Sequence, residues 1–597
     1  MAPRLTTRPL VCSPRSCLAL LLFLVALQAA ADHWYVDDDN HTGTEDGTRL
    51  APFTHIQAAI NAAASGDTIS VAAGIYDEAL TIADKTLVLQ GGFAGATTQH
   101  YSTGQNGDFV TRFAGDDSSR LNGHAQAPTI RIEGDSSGST IDGFTITGGQ
   151  RGIELPDWPL LNGLSITNNR IEGNGLADPA PDVGGGIVAL GGHTNIRVDS
   201  NHILGNRAGR GGGIAGGGIN LTLTGNIISD NEGVLDHGGG VYLLGTGSIV
   251  GNLIANNRVG EDLGYGWGGG LVVVGNGADP RTDMRISGNR FVGNFAPSAG
   301  GGVYIDDGAR AYFDHNLLYR NWIDSSFGGS ALYVDCLDPA IRSSVEVNHS
   351  TFVANGVNAT QDGTSAIRVD CSDLSVRNSI IWDNPGNAFN LFIAPTLTVQ
   401  DSLIQSGWAE MLPGDDGDFV IHPEAWPGVG NLVDIDPLFV APAQDDYHLR
   451  SVVGRWEAAL GQWVRDADTS PAIDAAHPAS PYVDEPRPNG WRANLGAYGN
   501  TAEASLSARD GPVTVSCETG PRWVTTLDVM DALEILSEIE IITSGAVTVH
   551  AGASLIIQAT QGITIGQGFR IAAGGRFLAI VRETYCPDEA LISGLAD

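Results

Sequence analysis

Gly268-Gly269-Gly270-Leu271-Val272-Val273-Val274, followed by Asn289-Arg290-Phe291-Val292-Gly293-Asn294, is the stretch from which the architecture is read. Both pieces recur. Glycine runs followed by apolar residues start at Gly184, Gly211, Gly238, Gly268 and Gly300, with a variant at Gly329-Ser330-Ala331, giving steps of 27, 27, 30, 32 and 29 residues. The pattern Asn-x-apolar-apolar-x-Asn runs from Asn169 to Asn174, Asn201 to Asn206, Asn226 to Asn231, Asn252 to Asn257, Asn289 to Asn294 and Asn316 to Asn321. Ser replaces its first Asn before Asn355 and Asn384. Short β-rich segments such as Met284-Arg285-Ile286-Ser287 alternate apolar and polar residues with period two, which excludes a helical repeat. A single coil cannot bury its apolar face alone, but stacked parallel coils share one core, with strands about 4.8 Å apart. In such a stack an Asn amide donates and accepts along the axis, and Asn tolerates the left-handed backbone of a tight turn. The Gly runs fit either corners closed to other residues or a close backbone approach to a ligand.

Composition agrees. The chain has 597 residues with 80 Gly, about 13 per cent against a usual figure near 7 per cent, without a Gly-X-Y period, so collagen is excluded. Hydrophobic residues make up 42% and Pro numbers only 27, which supplies a long core and excludes a disordered low-complexity chain. The net charge of -36 repels phosphate backbones and anionic bilayers, so nucleic acid is not an expected partner.

Residues 1–31 read as a secretory signal peptide. Arg4, Arg8 and Arg15 precede the apolar run Leu18 to Leu27, and Ala29-Ala30-Ala31 fits the cleavage site. The run is too short to cross a bilayer core of about 30 Å, and no later segment is long enough, so no membrane span is expected. Secretion to the extracellular space or the cell surface makes the cysteines that remain candidates for disulfides. The expected pairs are Cys336 with Cys371 and Cys517 with Cys586.

On these repeats the chain resembles secreted right-handed parallel β-helix proteins of the pectate-lyase-like superfamily. Phe291 to Asn294, behind its glycine run, is similar to polymorphic-outer-membrane-protein repeats. The opening is similar to that of many bacterial β-helix proteins: Tyr35-Val36-Asp37, His55-Ile56-Gln57-Ala58-Ala59-Ile60 and Gly66-Asp67-Thr68-Ile69. The middle string has helical spacing and predicts a short helix over the open end of the solenoid. Asp434-Ile435-Asp436-Pro437-Leu438-Phe439, Tyr447-His448-Leu449, Ser470-Pro471-Ala472-Ile473-Asp474 and Leu495-Gly496-Ala497-Tyr498-Gly499 resemble the closing segment of choice-of-anchor β-helix proteins, with an insertion at 451–468. The expected organisation is all-β: a cap and first coils over 32–125, a central parallel β-helix over 126–450, a closing segment over 451–511 and a small β-solenoid over 512–597.

Stacking turns alignment into proximity, and two columns of side chains emerge. Alternation points Val303 and Ile305, Leu332 and Val334, and Ile367 and Val369 inward. Asp306, Asp335 and Asp370 then face outward in one file, which Tyr333 and Arg368 share. Three carboxylates so spaced form either a solvated acidic ladder or a cation site, with Ca²⁺ the natural ion. The second column precedes the glycine runs: Arg210, His237 and Trp267 are equivalent in successive coils, with Asp236, Glu261, Asp262 and Tyr265 nearby. It reads either as ordinary turn residues or as a sugar-binding platform, with Trp267 stacking on a ring and Arg210 or His237 handling a carboxylate or proton.

The functional expectation is a polysaccharide or cell-surface glycan bound, and cleaved if the protein is an enzyme, along the solenoid face. The alternative is a non-catalytic adhesin-like surface protein. Lyases of the resembled superfamily use a Lys or Arg base. Lys85 is the sole lysine here, so a lysine base is confined to the first coils, and His237, Arg210 and Arg368 are the other candidates. Asp306-Asp307 is similar to the adjacent acids of polygalacturonase-type hydrolases, but their Gly-His-Gly and Arg-x-Lys strings are missing, which favours elimination over hydrolysis. The sequence contains no P-loop, clustered Cys/His zinc spacing or Gly-x-Ser-x-Gly element.

Overall fold

The computed structural model describes residues 31–112, 119–260, 263–275, 283–325, 328–336, 338–357, 365–405, 410–411, 429–507, 514–518, 522–529, 532–537, 540–549, 554–565, 569–571 and 576–581. Residues 1–30, Glu261, Asp262, Cys586 and the side chain of Cys517 lie outside the described residues, and with them most of the expected signal peptide and the expected Cys517–Cys586 pair.

The coils build three main faces, and those from Arg207–Ala208 to Gly356–Val357 add a fourth file of two-residue parallel strands. Along the first face, Val241–Val250 pairs with Leu271–Val274, then Val303–Asp306, Leu332–Val334, Ser365–Asp370 and Asn387–Phe392, all parallel. The second face runs through Asp283–Ser287, Arg310–Asp314, Ser344–Asn348, Asp373–Arg377 and Thr396–Gln400. Ile214–Thr224 and Val241–Val250 pass through the corner between these faces and join them in one sheet. A third face of short parallel strands, among them Leu317–Tyr319 and Thr351–Val353, completes the coil. The interior is one continuous apolar column in which Val303, Ile305, Leu332, Val334, Ile367 and Val369 point inward as their alternation requires.

Two asparagine ladders brace the turns on either side of the third face. Asn231 is representative: its Nδ2 donates to Ile203 O at 2.9 Å and to Asn257 Oδ1 at 3.0 Å. Its Oδ1 accepts from the backbone N–H of Asn206 at 2.9 Å and from Asn206 Nδ2 at 3.1 Å. The donor-acceptor expectation therefore holds, but the conformational one does not. The left-handed backbone falls on the residue before the ladder Asn, at Asn168, Ser200, Asp230 and Asn256 with φ between 53° and 57°. The ladder amide needs a backbone that aims it along the axis, so the sharp turn is made one residue earlier.

The glycine runs separate into two roles. The first glycine takes positive φ, 69° at both Gly238 and Gly268. The next two are sterically confined: a Cβ on Gly239 would lie 2.4 Å from Arg258 O, and one on Gly240 2.7 Å from Gly270 O. Adjacent coils, not a ligand, occupy that space.

The predicted helix is Ile56–Ala62, with Ile56, Ala59 and Ile60 buried. Glu78 accepts from the N–H groups of Ile56 and Gln57 at 2.8 and 3.0 Å. Lys85 Nζ donates to Ile60 O at 3.0 Å and Ala63 O at 2.8 Å, a cation on the helix's C-terminal carbonyls. The sole lysine is thereby a structural cap, which removes it as a candidate base.

The closing segment packs laterally against the solenoid. Phe439, Tyr447, Leu449, Ala472, Ile473 and Leu495 form a second core with Leu317, Tyr319, Val353, Ile380 and Leu403 of the third face. The insertion folds as an antiparallel hairpin, Arg455–Glu457 with Gln462–Val464. Beyond it, parallel strands such as Ala532–Ser537, Ser554–Ala559 and Arg576–Val581 form a second, narrower solenoid with its own small core. Cys336 and Cys371 are disulfide-bonded, their Cα atoms 5.7 Å apart.

Candidate functional site

The strand register brings the two columns together on the outer side of the first face. Tyr242, Val272, Tyr304, Tyr333, Arg368 and Asn390 occupy successive positions of one file, two residues before the Asp positions. His237 and Trp267 pair as isolated parallel bridges beside it, and Trp267 pairs in turn with Ala299. A stack of rings results. His237 lies 5.4 Å from Trp267, Trp267 6.5 Å from Tyr304, and Tyr304 5.1 Å from Tyr333. Arg368 closes it, its guanidinium 5.3 Å from the Tyr333 ring. Tyr265 is exposed at the rim, 6.2 Å from Trp267.

Asp236 organises the upper end. Arg210 donates to it through Nε at 2.6 Å and Nη2 at 2.9 Å, and His237 Nδ1 approaches Oδ1 at 3.1 Å. Burial works against this carboxylate, but Arg210 and His237 hold it well below the usual range. Arg210, expected to meet a ligand carboxylate, is instead engaged by a neighbouring acid. With Nδ1 engaged by Asp236, the His237 ring is oriented so that Nε2, which has no hydrogen-bond partner among the described residues, is the nitrogen available to a substrate.

The Asp file descends below. Asp306, Asp335 and Asp370 are in register as expected, but they are linked to tyrosines. Tyr304 donates to Asp335 Oδ2 at 3.0 Å and Tyr333 donates to Asp370 Oδ2 at 2.8 Å, each to the acid of the next coil. Arg368 binds Asp370 through Nε at 2.8 Å and Nη2 at 2.6 Å. Asp370 is 5% and Arg368 6% exposed, so the file is not a solvated ladder along its length. Burial raises all three carboxyls; repulsion from Asp306 and Asp370 helps carry Asp335 to about 6.

Asp306, Asp335 and Asp370 are the carboxylates on which the Ca²⁺ expectation rests. Asp370 has its counter-charge in Arg368, and among the described residues no group of three His, Cys, Asp or Glu side chains is placed to hold a metal ion. Sequence reasoning passed over Tyr242 and Tyr304. Their signal was available in the aligned strings, because Tyr304 and Tyr333 hold the same position after Val303 and Leu332.

The strand pairing defines a right-handed parallel β-helix protein. The right-handed β-helix region family matches residues 121–291, and a family described as disaggregatase related matches 429–476. Among solved structures, the PL6 family alginate lyase AlyGC is similar at 13% identity and a TM-score of 0.35, over 88% of this chain and 69% of that one. XylC, solved in complex with xylose, is 11% identical at a TM-score of 0.33, over 79% and 99%. The pectin methylesterase PemA from Erwinia chrysanthemi is 10% identical at a TM-score of 0.15, over 68% and 90%. No curated protein sequence matches the chain. Among the described residues no helix is long and apolar enough to cross a membrane.

Proposed function

We propose that this is a secreted protein that binds a polysaccharide along the first face of its solenoid. The observation that carries the reading is the accessible upper end of the ring stack, His237 against Trp267 with exposed Tyr265 at the rim, supported from below by the buried Tyr304 and Tyr333. A sugar chain lying here meets half-buried Trp267 and His237 and exposed Tyr265, while the buried rings of Tyr304 and Tyr333, 4% and 7% exposed, back them from below. Secretion is supported by the leader-like residues 1–31 and by the Cys336–Cys371 disulfide, which suits an oxidising compartment.

Where the bound chain is a uronate, His237 is the residue best placed to act as base, with Asp236 fixing its orientation. It takes the proton from the carbon that bears the carboxylate, a carbon–carbon double bond forms as the C–O bond to the leaving sugar breaks, and the leaving oxygen takes a proton from water. The adhesin-like reading keeps one observation in its favour, the unbroken regular pairing of the third face.

The test is incubation with a panel of uronate and neutral polysaccharides, with Ca²⁺ or a chelator. Retention on a polysaccharide is expected, unchanged by chelator, and new ultraviolet absorbance marks elimination. Reducing ends without that absorbance replace elimination by hydrolysis. No retention and no product on any polymer rejects the reading and leaves the adhesin-like rod.

A further inference from the structure

The second face carries a groove of its own, on a different side of the coil from the ring stack. Its floor is set by register: Arg285, Tyr312 and Glu346 stand in one file of adjacent strands, and Asp314, Asn348 and Arg377 in the file beside it. Its wall is the closing segment at 477–481. That stretch is anchored by Asn378, which accepts from His477 N at 2.6 Å and donates to Ser480 Oγ at 2.8 Å. The open groove has a volume of about 680 Å³, within the range of small-ligand sites.

The arginines in this groove are left without an acidic partner on a chain rich in acids. With a net charge of -36, acids are abundant, and several other arginines take them: Arg112 with Asp142 at 2.7 Å, Arg320 with Asp445 at 2.7 Å, Arg342 with Asp373 at 2.6 Å. Arg285 has no ion pair or hydrogen bond among the described residues, and Arg377 has only the neutral Gln400 Oε1 at 2.8 Å. Glu346 likewise has no side-chain partner among the described residues. Asp314 is engaged by Asn348 Nδ2 at 2.9 Å and by His315 Nδ1 at 3.1 Å, so it does not neutralise either arginine. Two guanidinium groups left open on an acidic protein are an anion site, and their planar forks match carboxylates. Tyr312, half-buried between the positions of Arg285 and Glu346, offers a ring face, and Glu346 offers an acceptor for hydroxyl groups.

We infer that this groove binds an oligosaccharide carrying carboxylates, a uronate chain, with Arg285 and Arg377 on the carboxylates, Tyr312 against a sugar ring and Glu346 on hydroxyls. It requires the closing segment as a wall, which gives that segment a binding role besides covering the third face. The inference does not depend on the ring stack of the first face.

The experiment is calorimetric titration of the full chain with oligogalacturonate, with alginate oligomers, and with oligogalacturonate whose carboxyl groups have been reduced to alcohols. At least one uronate oligomer is expected to bind, the reduced oligomer at least tenfold more weakly. Arg285→Ala combined with Arg377→Ala is expected to weaken binding at least tenfold with an unchanged unfolding temperature, because both side chains are exposed. Trp267→Ala, which tests the first face, is expected to leave this binding intact. The inference is overturned by failure of every uronate oligomer to bind, by equal affinity for the reduced oligomer, or by indifference to the double arginine replacement.

Discussion

Tyr304 donates its hydroxyl hydrogen to Asp335 Oδ2 across a coil boundary, at 3.0 Å. That carboxyl is pushed up to about 6 by burial and by Asp306 and Asp370. An acid with a raised native pKa stabilises the fold fully below its unfolded value of 3.8, and the contribution is lost as pH rises through about 6. Asp335→Asn keeps an acceptor for Tyr304 and removes the charge. It is expected to raise stability at pH 7 by about 1 to 3 kcal/mol and to flatten the decline between pH 4 and 6. Urea unfolding across that range measures both; lower stability at pH 7 would show that the ionised carboxylate is favourable here.

The asparagine ladders predict a contrast between neighbours. Asn231→Ala strips two donors and two acceptor contacts from a site with 0% exposure and should cost about 3 kcal/mol. Asp230→Gly, at φ 57°, should change stability by less than about 1 kcal/mol or raise it. A large loss at Asp230 with little at Asn231 would reverse the roles assigned to the pair.

Much of this was legible in the sequence because a repeat fixes register. Once Val-Tyr-Ile-Asp at 303–306, Leu-Tyr-Val-Asp-Cys at 332–336 and Ile-Arg-Val-Asp-Cys at 367–371 are aligned, the Asp file and the Cys336–Cys371 pairing follow from spacing alone. What spacing does not give is which polar groups find one another. Arg210 turns to Asp236, and Asp370 to Arg368, because partly buried charges seek the nearest opposite charge. The lateral closing segment had a sequence signal in Leu317-Leu318-Tyr319, apolar on both faces of the third sheet, but not its partner. The groove of the second face needs that partner in place before it exists at all.

The disulfide joins residues 35 apart. Closing a loop of that length is expected to stabilise by about 4 kcal/mol through the unfolded chain. Cys336→Ser with Cys371→Ser should lower the unfolding temperature under oxidising conditions, and a reductant should bring the parent chain to the same value. Identical melting of parent and variant would show the bond to be without effect.

His349 is buried against His315, 5.1 Å between ring centroids, and burial together with His315 lowers it to about 3. A histidine with a depressed native pKa stabilises fully above its unfolded value of 6.5, and the contribution fades as pH falls towards 3. Acid should therefore weaken the region, which touches the closing segment near Gly499. Hydrogen exchange of 494–500 is expected to accelerate between pH 6.5 and 4, after correction for intrinsic rates, and His349→Leu should remove the pH dependence. Protection that holds down to pH 4 in the parent chain would refute the assignment.

The central claim is that the ring stack of the first face binds a sugar chain, and affinity electrophoresis through polysaccharide gels measures it most directly. The parent chain is expected to be retarded by at least one polysaccharide, with Trp267→Ala losing most of that retardation while its unfolding temperature stays unchanged. Equal retardation of parent and Trp267→Ala in every gel that retards the parent, or no retardation in any gel, would contradict the claim.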